Sequence, residues 1–315
     1  MNDLLTGKLD LFGNNLGILN KEFKNEDFQL KRTGALFYTF NEKEANVEDI
    51  RKSLGIIRKR YKLTSPFRSS VKNILTYKLI DHEFDLNYLD KLEEVYKKIT
   101  VKWKTPLYKA LISLIIVENN IANIDGLITK TNAIYQDMKE KHRGVTSDND
   151  YLMAFLLSLK NDDKEKITED VEKAYDLMKN KIKSKNVTQY LSHVLTLLDG
   201  DYHTKTNMVL NIQDTFIEKK RKLGVVGLSA IGLFASFNHS AEEITELLLE
   251  LEKQLKQTKG FRYIGKNTRI CYASYLLYDI FKEKDQKKEI YILKLLAISV
   301  MISTINSLKI FSAIQ

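Results

Sequence analysis

Histidines and carboxylates are the side chains of this sequence that are best suited to acid–base or metal chemistry. The chain has five histidines, and three of them, His82, His203 and His239, stand in polar stretches between apolar segments. The other two are His142 and His193, and no pair has the spacing of a zinc site on one helix. These residues become an acid–base or metal site only if the fold brings the polar stretches together.

Other catalytic patterns do not appear in the chain. The sequence has no Gly-rich phosphate loop, no nucleophile elbow, no HExxH and no paired cysteines. Its single cysteine, Cys271, excludes an intramolecular disulfide and a metal site built from several cysteines, and its apolar surroundings "RICYASYLLY" predict a buried side chain. The sequence therefore assigns no catalytic residue, no metal ligand and no cofactor, and it favours a protein that is not an enzyme.

The elements that position these side chains follow from a repeat in the apolar pattern. Seven short apolar segments each carry a hydroxyl residue in third place, at intervals of 37, 37, 45, 38, 40 and 38 residues. These hydroxyl residues are Thr39, Thr76, Ser113, Ser158, Thr196, Ser236 and Ser274. About twenty residues after each of the first five comes an aromatic on an amphipathic stretch, namely Tyr61, Tyr96, Tyr135, Tyr175 and Phe216. Each unit thus reads as a buried first helix followed by an amphipathic second helix.

Composition agrees with helices, because 315 residues include only 13 glycines and 2 prolines. We expect an all-α chain in one domain, 1–315, with a capping helix over 1–25 and an apolar helix over 285–315. Between them, 26–284 form seven antiparallel hairpins of an α-solenoid, the last one incomplete, and the solenoid either stays open or closes into an α/α ring.

Buried hydroxyls let first helices approach closely and bond back to their own carbonyls, although they could also line a groove. Polar residues predict the starts of second helices: Asn46, Asp85, Asp162, and Ser240 in a capping box with Glu243.

Basic residues are the strongest indication of a binding surface. Fifty cationic side chains against forty-one acidic ones give a net charge of +9, which favours an acidic partner. Many of the cations lie at the C-terminal ends of second helices, where they also complement the helix dipole. If the hairpins stack in parallel, these cations form one edge, and Asp85, Asp162, Asp163, Glu242 and Glu243 form the other. The candidate partner-binding residues are Lys31, Arg58, Arg60, Arg68, Lys139, Lys141, Lys219, Lys220 and Lys266.

The last apolar stretch raises the question of a membrane. Residues 295–308 are fourteen uncharged residues between two lysines, which is shorter than the ~20 needed to span a bilayer. Several hydroxyl and amide side chains in the stretch favour a helix docked on the protein, while the lysine-rich residues before it allow 288–315 to associate with a membrane surface. No signal peptide is visible, so a cytoplasmic location is expected.

Four segments resemble a known family: "LNKEF", "SPFRSS", "SDNDYLMA" and "TKGFRYIGK". They are similar to the bacterial proteins grouped as domain of unknown function 4003, and the resemblance covers essentially the whole chain. It implies a cytosolic helical protein and supplies no catalytic residues.

Three functions remain open from the sequence. The first is a scaffold that holds a protein or peptide of acidic character through a solenoid face or the basic edge. The second is an enzyme with its site at the centre of an α/α ring, which requires a deep pocket with convergent acids or histidines. The third is a protein tethered to a membrane by its C-terminal helix. Basic segments such as "RKRYK" belong to no established nucleic-acid motif, so nucleic acid is not an expected partner.

Overall fold

The computed structural model describes residues 2–69, 71–99 and 106–284. This part of the chain is all-helical, as predicted, and contains fourteen α-helices and no strand. The helices are α1 Asn2–Glu22, α2 Phe28–Phe40, α3 Val47–Arg60, α4 Lys72–Asp81, α5 Leu86–Lys98, α6 Pro106–Glu118, α7 Ile124–Lys141, α8 Tyr151–Ser158, α9 Lys164–Met178, α10 Lys185–Leu197, α11 Tyr202–Glu218, α12 Val225–Ile231, α13 Ala241–Gln257 and α14 Lys266–Lys284. The helix predicted over 285–315 lies outside the described residues.

The described residues divide into two compact units, one of residues 2–69, 71–99, 106–125 and 258–260 and one of residues 126–257 and 261–284. In the first unit, α2 packs beside α4, and α1 packs beside α3. In the second unit, the first helices α8, α10, α12 and α14 lie side by side, and the second helices α9, α11 and α13 do the same. Stacked hairpins with separate layers of first and second helices are the solenoid-like arrangement that the repeat predicts.

The predicted hydroxyl positions are buried in six of the seven first helices. In these six, the hydroxyl donates to a carbonyl of its own helix over 2.6 to 2.9 Å. The acceptor is four residues earlier in every case except Ser158, which bonds to Phe155 three residues earlier. Ser236 differs, because α12 ends early and a 3-10 turn, Gly232–Phe234, leaves Ser236 half-buried in the turn that follows. The six buried hydroxyls therefore serve packing and do not line a groove.

Second helices owe their stability to one apolar face, as α13 illustrates. Four of its apolar residues at helical spacing are fully buried: Ile244, Leu248, Leu251 and Leu255. Burying a side chain of this size stabilises the folded chain by roughly 1.5–3 kcal/mol. The face that remains carries charges, and it becomes one wall of the site described below.

Helix starts follow the predicted caps with two corrections. Asn46 and Asp85 accept backbone N–H groups of α3 and α5, as expected. The cap of α9 is Asp163 and not Asp162, because it is the Asp163 carboxylate that accepts the N–H of Lys166, at 2.7 Å. Ser240 accepts the N–H of Glu243 at 3.0 Å, but the Glu243 carboxylate pairs with His239, so the second half of the predicted capping box is replaced.

Several helices end with a residue in the left-handed region that is not glycine. Glu42 after α2, Asn120 after α6 and Lys220 after α11 have φ angles of 53°, 50° and 56°. In each case the next residue donates its N–H back into the last turn of the helix, which satisfies carbonyls that would otherwise lack a partner. Glycine is the residue that most often adopts this left-handed conformation at the end of a helix. Because these three helices have other residues there, no glycine in the sequence indicates where they end.

None of the described helices is both long enough and apolar enough to cross a membrane.

Candidate functional site

A cationic cleft lies in the second unit, where the end of α11, the outer face of α13 and the start of α14 meet. Its volume is about 530 Å³. The cleft is lined by six cations and three carboxylates, together with Leu249: Lys219, Arg221, Lys253, Lys256, Lys266 and Arg269, and Glu246, Glu250 and Glu252. We call these residues the cationic cleft.

The end of α11 places two of the cations. Lys220 adopts the left-handed conformation, and the N–H of Arg221 then donates to the Phe216 carbonyl at 2.8 Å. This reversal stops the helix and carries Arg221 into the lining of the cleft. Lys219, just before the reversal, reaches across to α13, where its ammonium lies 2.9 Å from a Glu246 carboxylate oxygen.

The wall contributed by α13 is the face opposite its buried residues. Glu246, Glu250, Lys253 and Lys256 follow one another at intervals of three or four, so they share that face. Lys253 lies 4.0 Å from Glu250, and both are solvent-exposed. Such a pair contributes little to stability, on the order of 0–1 kcal/mol.

The start of α14 adds cations where they oppose the helix dipole. Lys266 is the first residue of α14 and Arg269 lies in its first turn, which carries no acid. The N-terminus of a helix behaves as about half a positive charge, so cations there are disfavoured by the helix itself. Stabilisation of the helix therefore does not explain these two residues, in contrast to the cations that follow other helices.

One cation of the cleft is held in a buried ion pair. The Arg269 guanidinium donates to Glu252 through Nε at 2.7 Å and Nη2 at 2.6 Å, and both side chains are 8% exposed. Its remaining nitrogen, Nη1, donates to the Ile264 carbonyl. Arg269 thus ties α13, α14 and the turn before α14 together at the floor of the cleft.

The electrostatics of the cleft are dominated by positive charge. Each carboxylate has a cationic partner in the cleft, which leaves Arg221, Lys256 and Lys266 with no ion pair to any described residue. Burial lowers the pKa of Lys266, and the nearby charges of Arg221 and Arg269 lower it further while Glu252 opposes them. An anion that enters the cleft therefore relieves repulsion among cations and gains charge-assisted hydrogen bonds.

Of the nine predicted partner-binding residues, the structure brings Lys219 and Lys266 together in this cleft. Arg58 lies in a second cleft, of about 610 Å³, within the first unit, where it pairs with Glu26. Arg60 is engaged by two carboxylates of α5, with Nε 2.6 Å from Glu93 and Nη2 2.5 Å from Asp90.

The remaining predicted residues have other surroundings. Lys31 is buried, with its ammonium 4.7 Å from the centre of the Phe28 ring. Arg68 donates to the backbone carbonyls of Arg58 and Tyr61, and Lys139 lies over the Tyr135 ring. Lys141 and Lys220 are exposed and line neither cleft.

The predicted separation of cations and acids onto two edges is wrong where α11 meets α13. Lys219 follows α11, whereas Glu242 and Glu246 lie in the first half of α13, and the Lys219 ammonium is 4.0 Å and 2.9 Å from their carboxylates. The reason is the offset between neighbouring second helices, which sets the basic end of one against the acidic start of the next. Arg60 and Asp90 repeat this relation between α3 and α5.

Sequence reasoning missed four cations of the cleft, namely Arg221, Lys253, Lys256 and Arg269. Arg221 belongs to the basic segment "EKKRK", which contains the predicted residues Lys219 and Lys220, so its neighbours indicated the right place. Lys256 and Arg269 occur at the end of α13 and the start of α14, and only the tertiary packing of these helices shows that they face Arg221.

The histidines do not form a common site. His82 bonds to Glu118 at 2.8 Å, His142 to Glu172 at 3.0 Å and His239 to Glu243 at 3.1 Å, and each also contacts an aromatic ring. Within 2–69, 71–99 and 106–284, no three His, Cys, Asp or Glu side chains come close enough to hold a metal ion. We therefore interpret the three histidine–glutamate pairs as local structural contacts.

The fold and the cleft define the chain as an all-α helical-repeat protein with a cationic cleft in its second unit. The chain belongs to the family described as "Protein of unknown function (DUF4003)", whose model matches residues 15–307. No curated protein and no solved structure matches it.

Proposed function

We propose that the chain is a non-enzymatic scaffold whose cationic cleft binds an acidic segment of a protein partner. The observation that carries this proposal is the trio of Arg221, Lys256 and Lys266, three cations that face one cleft and form no ion pair with the described part of the chain. Lys266 stands at a helix N-terminus, where a cation costs stability, and this supports a role in binding.

The mixed lining supports a protein or peptide over a simple inorganic ion. Lys219 and Lys253 each hold a carboxylate beside the unpaired cations, and Leu249 adds a half-exposed apolar surface. Specific protein interfaces combine charges of both signs with apolar surface, and this combination fixes how the two partners align. Binding by this lining is expected to weaken with salt, because exposed charges are screened over about 10 Å at 0.1 M ionic strength.

The experiment measures the affinity of the full chain for poly-L-glutamate at several salt concentrations. We expect Lys256→Glu with Lys266→Glu to weaken binding by about tenfold or more, since both reversals fall in a cleft of concentrated potential. The matched control is Lys21→Glu with Lys24→Glu in the first-unit cleft. It changes the net charge by the same amount at two exposed lysines, Lys21 in the last turn of α1 and Lys24 two residues after its end, where the helix dipole accounts for them.

Equal weakening by the two double variants would contradict the proposal, because binding would then report net charge alone. Co-purification from the native host extends the test to the natural partner. A partner is expected to be retained by the control variant and lost from the cleft variant.

We also propose that the scaffold acts in the bacterial cytoplasm. The sequence has one cysteine, Cys271, and its side chain is buried, which suits a reducing compartment. Cell fractionation of the native host tests this location, and recovery in the membrane fraction would contradict it.

A further inference from the structure

A turn at the edge of the cationic cleft displays one aromatic side chain to solvent. Tyr263 lies in the segment Phe261–Ile264 and is 92% exposed, whereas no other exposed large apolar side chain among the described residues exceeds 74%. The Arg262 guanidinium lies 5.7 Å from the centre of the Tyr263 ring. The turn therefore presents an aromatic ring and a cation together.

The backbone of this turn is fixed on both sides of the tyrosine. Before it, Phe261 is fully buried, and its ring lies 4.8 Å from the Tyr272 ring of α14 in an edge-to-face arrangement. After it, the Ile264 carbonyl accepts from Arg269, and the Ile264 N–H donates to the Phe261 carbonyl at 3.1 Å. A ring displayed on a fixed turn loses little freedom when it binds, which favours its use as an anchor.

The turn is joined directly to the cleft. Arg269, which holds the Ile264 carbonyl, lines the cleft, and so does Lys266, three residues after Tyr263. Tyr263 and Arg262 do not line the cleft themselves, and a ligand reaches them by extending past Lys266.

We infer that this turn is the apolar anchor for the acidic segment bound in the cleft, so that the preferred ligand carries an aromatic residue close to its acids. The inference rests on the proposed function and adds a specificity to it. Tyrosine and arginine are enriched among the residues that dominate binding energy at protein interfaces. An aromatic pair adds roughly 0.5–1.5 kcal/mol beyond area burial, which corresponds to an affinity ratio of about two- to twelvefold.

The test compares two polymers of similar length, poly-L-glutamate and a random copolymer of glutamate and tyrosine, at one salt concentration. The wild-type chain is expected to bind the copolymer about three- to tenfold more tightly. Tyr263→Ala removes this preference and leaves the affinity for poly-L-glutamate unchanged, whereas Tyr263→Phe keeps the preference. Leu63→Ala is the control, because Leu63 is an exposed apolar side chain of the first unit and its loss leaves the preference intact.

Distinct outcomes separate this inference from the function it rests on. A copolymer preference that survives Tyr263→Ala, or no preference in the wild type, overturns the anchor while cleft-dependent binding of poly-L-glutamate still stands. Tighter, Tyr263-dependent binding of oligo-dT than of the copolymer overturns it in favour of a single-stranded nucleic acid, whose bases also stack on aromatics. If neither polymer binds, both proposals fail.

Discussion

The α-carbon of Gly34 lies against the phenol ring of Tyr77, so that a Cβ atom at residue 34 would meet the phenol oxygen and lie 2.5 Å from Cζ. Tyr77 is 2% exposed, and its hydroxyl donates to the Leu30 carbonyl at 2.9 Å. Glycine here lets α2 and α4 approach closely enough for the ring to fit between them. The contact explains why a residue that weakens helices occurs in the middle of α2.

Gly34→Ala is therefore expected to destabilise the protein although alanine favours helices. Overpacking a tight core typically costs about 1–3 kcal/mol, which exceeds the gain of roughly 1 kcal/mol in helix propensity. Urea unfolding of the full chain measures the change.

Gly55→Ala is the matched control for this substitution. Gly55 lies in α3, and a Cβ atom at residue 55 would have no neighbouring atom within 4 Å, so alanine should stabilise by about 0.5–1 kcal/mol. A gain in stability for Gly34→Ala similar to that for Gly55→Ala would show that the ring and the helix separate readily.

A second prediction concerns acid stability and His193. This side chain is fully buried, and neither ring nitrogen has a hydrogen-bond partner among the residues that the structure describes. Burial, aided by the nearby His142, lowers the pKa of His193 from 6.5 to about 3. Below pH 6.5 the His193 imidazole binds a proton in the unfolded chain but stays neutral in the folded chain. Its contribution to the free energy of unfolding is therefore complete above pH 6.5 and is lost as the pH falls toward 3.

The expected slope is up to about 1.4 kcal/mol per pH unit for this one group. It is measured from urea unfolding at several pH values between 7.5 and 5. His193→Leu should flatten the slope, whereas His203→Gln, at an exposed histidine, should leave it unchanged. Parallel pH profiles for wild type and His193→Leu would mean that other groups cause the loss.

The helical repeat was readable from sequence because it depends on local spacing. Buried hydroxyls and apolar faces recur at nearly fixed intervals, and each marks a helix without knowledge of its neighbours. The sequence analysis did not include a second series of buried hydroxyls, in the second helices, where Thr131, Thr168, Thr206 and Thr245 recur at intervals of 37, 38 and 39 residues. Thr131 bonds to Ser158 at 2.9 Å, so the two series meet between hairpins.

The cleft could not be predicted in the same way, because it depends on tertiary register. Lys219 was expected on the edge opposite Glu242, yet the offset between α11 and α13 brings the two within 4.0 Å. Likewise the end of α11 depends on Lys220 in a conformation that sequence patterns assign to glycine. The pattern predicted which helices are charged, and packing decided which charges face each other.

A third prediction tests the buried ion pair of Arg269 and Glu252. Removing one partner leaves the other charge buried without compensation, which costs about 3–5 kcal/mol, so Arg269→Met should be strongly destabilising. Arg269→Met with Glu252→Met should cost less than the sum of the single changes, because no charge is then stranded. Lys253→Met, which breaks an exposed pair of 4.0 Å, should change stability by less than about 1 kcal/mol.

The cycle is measured by chemical unfolding of the four chains. Additive losses would show that Arg269 and Glu252 act independently, and the Arg269 bond to the Ile264 carbonyl would then account for the cost of removing Arg269.

The last prediction separates the role of Lys220 in the fold from a role in binding. With φ at +56°, Lys220 holds a conformation that costs a side-chain residue about 1 kcal/mol and glycine almost nothing, so Lys220→Gly should stabilise the protein by up to that amount. Lys222→Gly removes the same charge two residues further on, where φ is not positive, and should be neutral or slightly destabilising. Because neither lysine lines the cationic cleft, the two variants should weaken poly-L-glutamate binding equally and only slightly. A marked loss of binding with Lys220→Gly alone would extend the binding surface beyond the cleft to the end of α11, since the two variants have the same net charge.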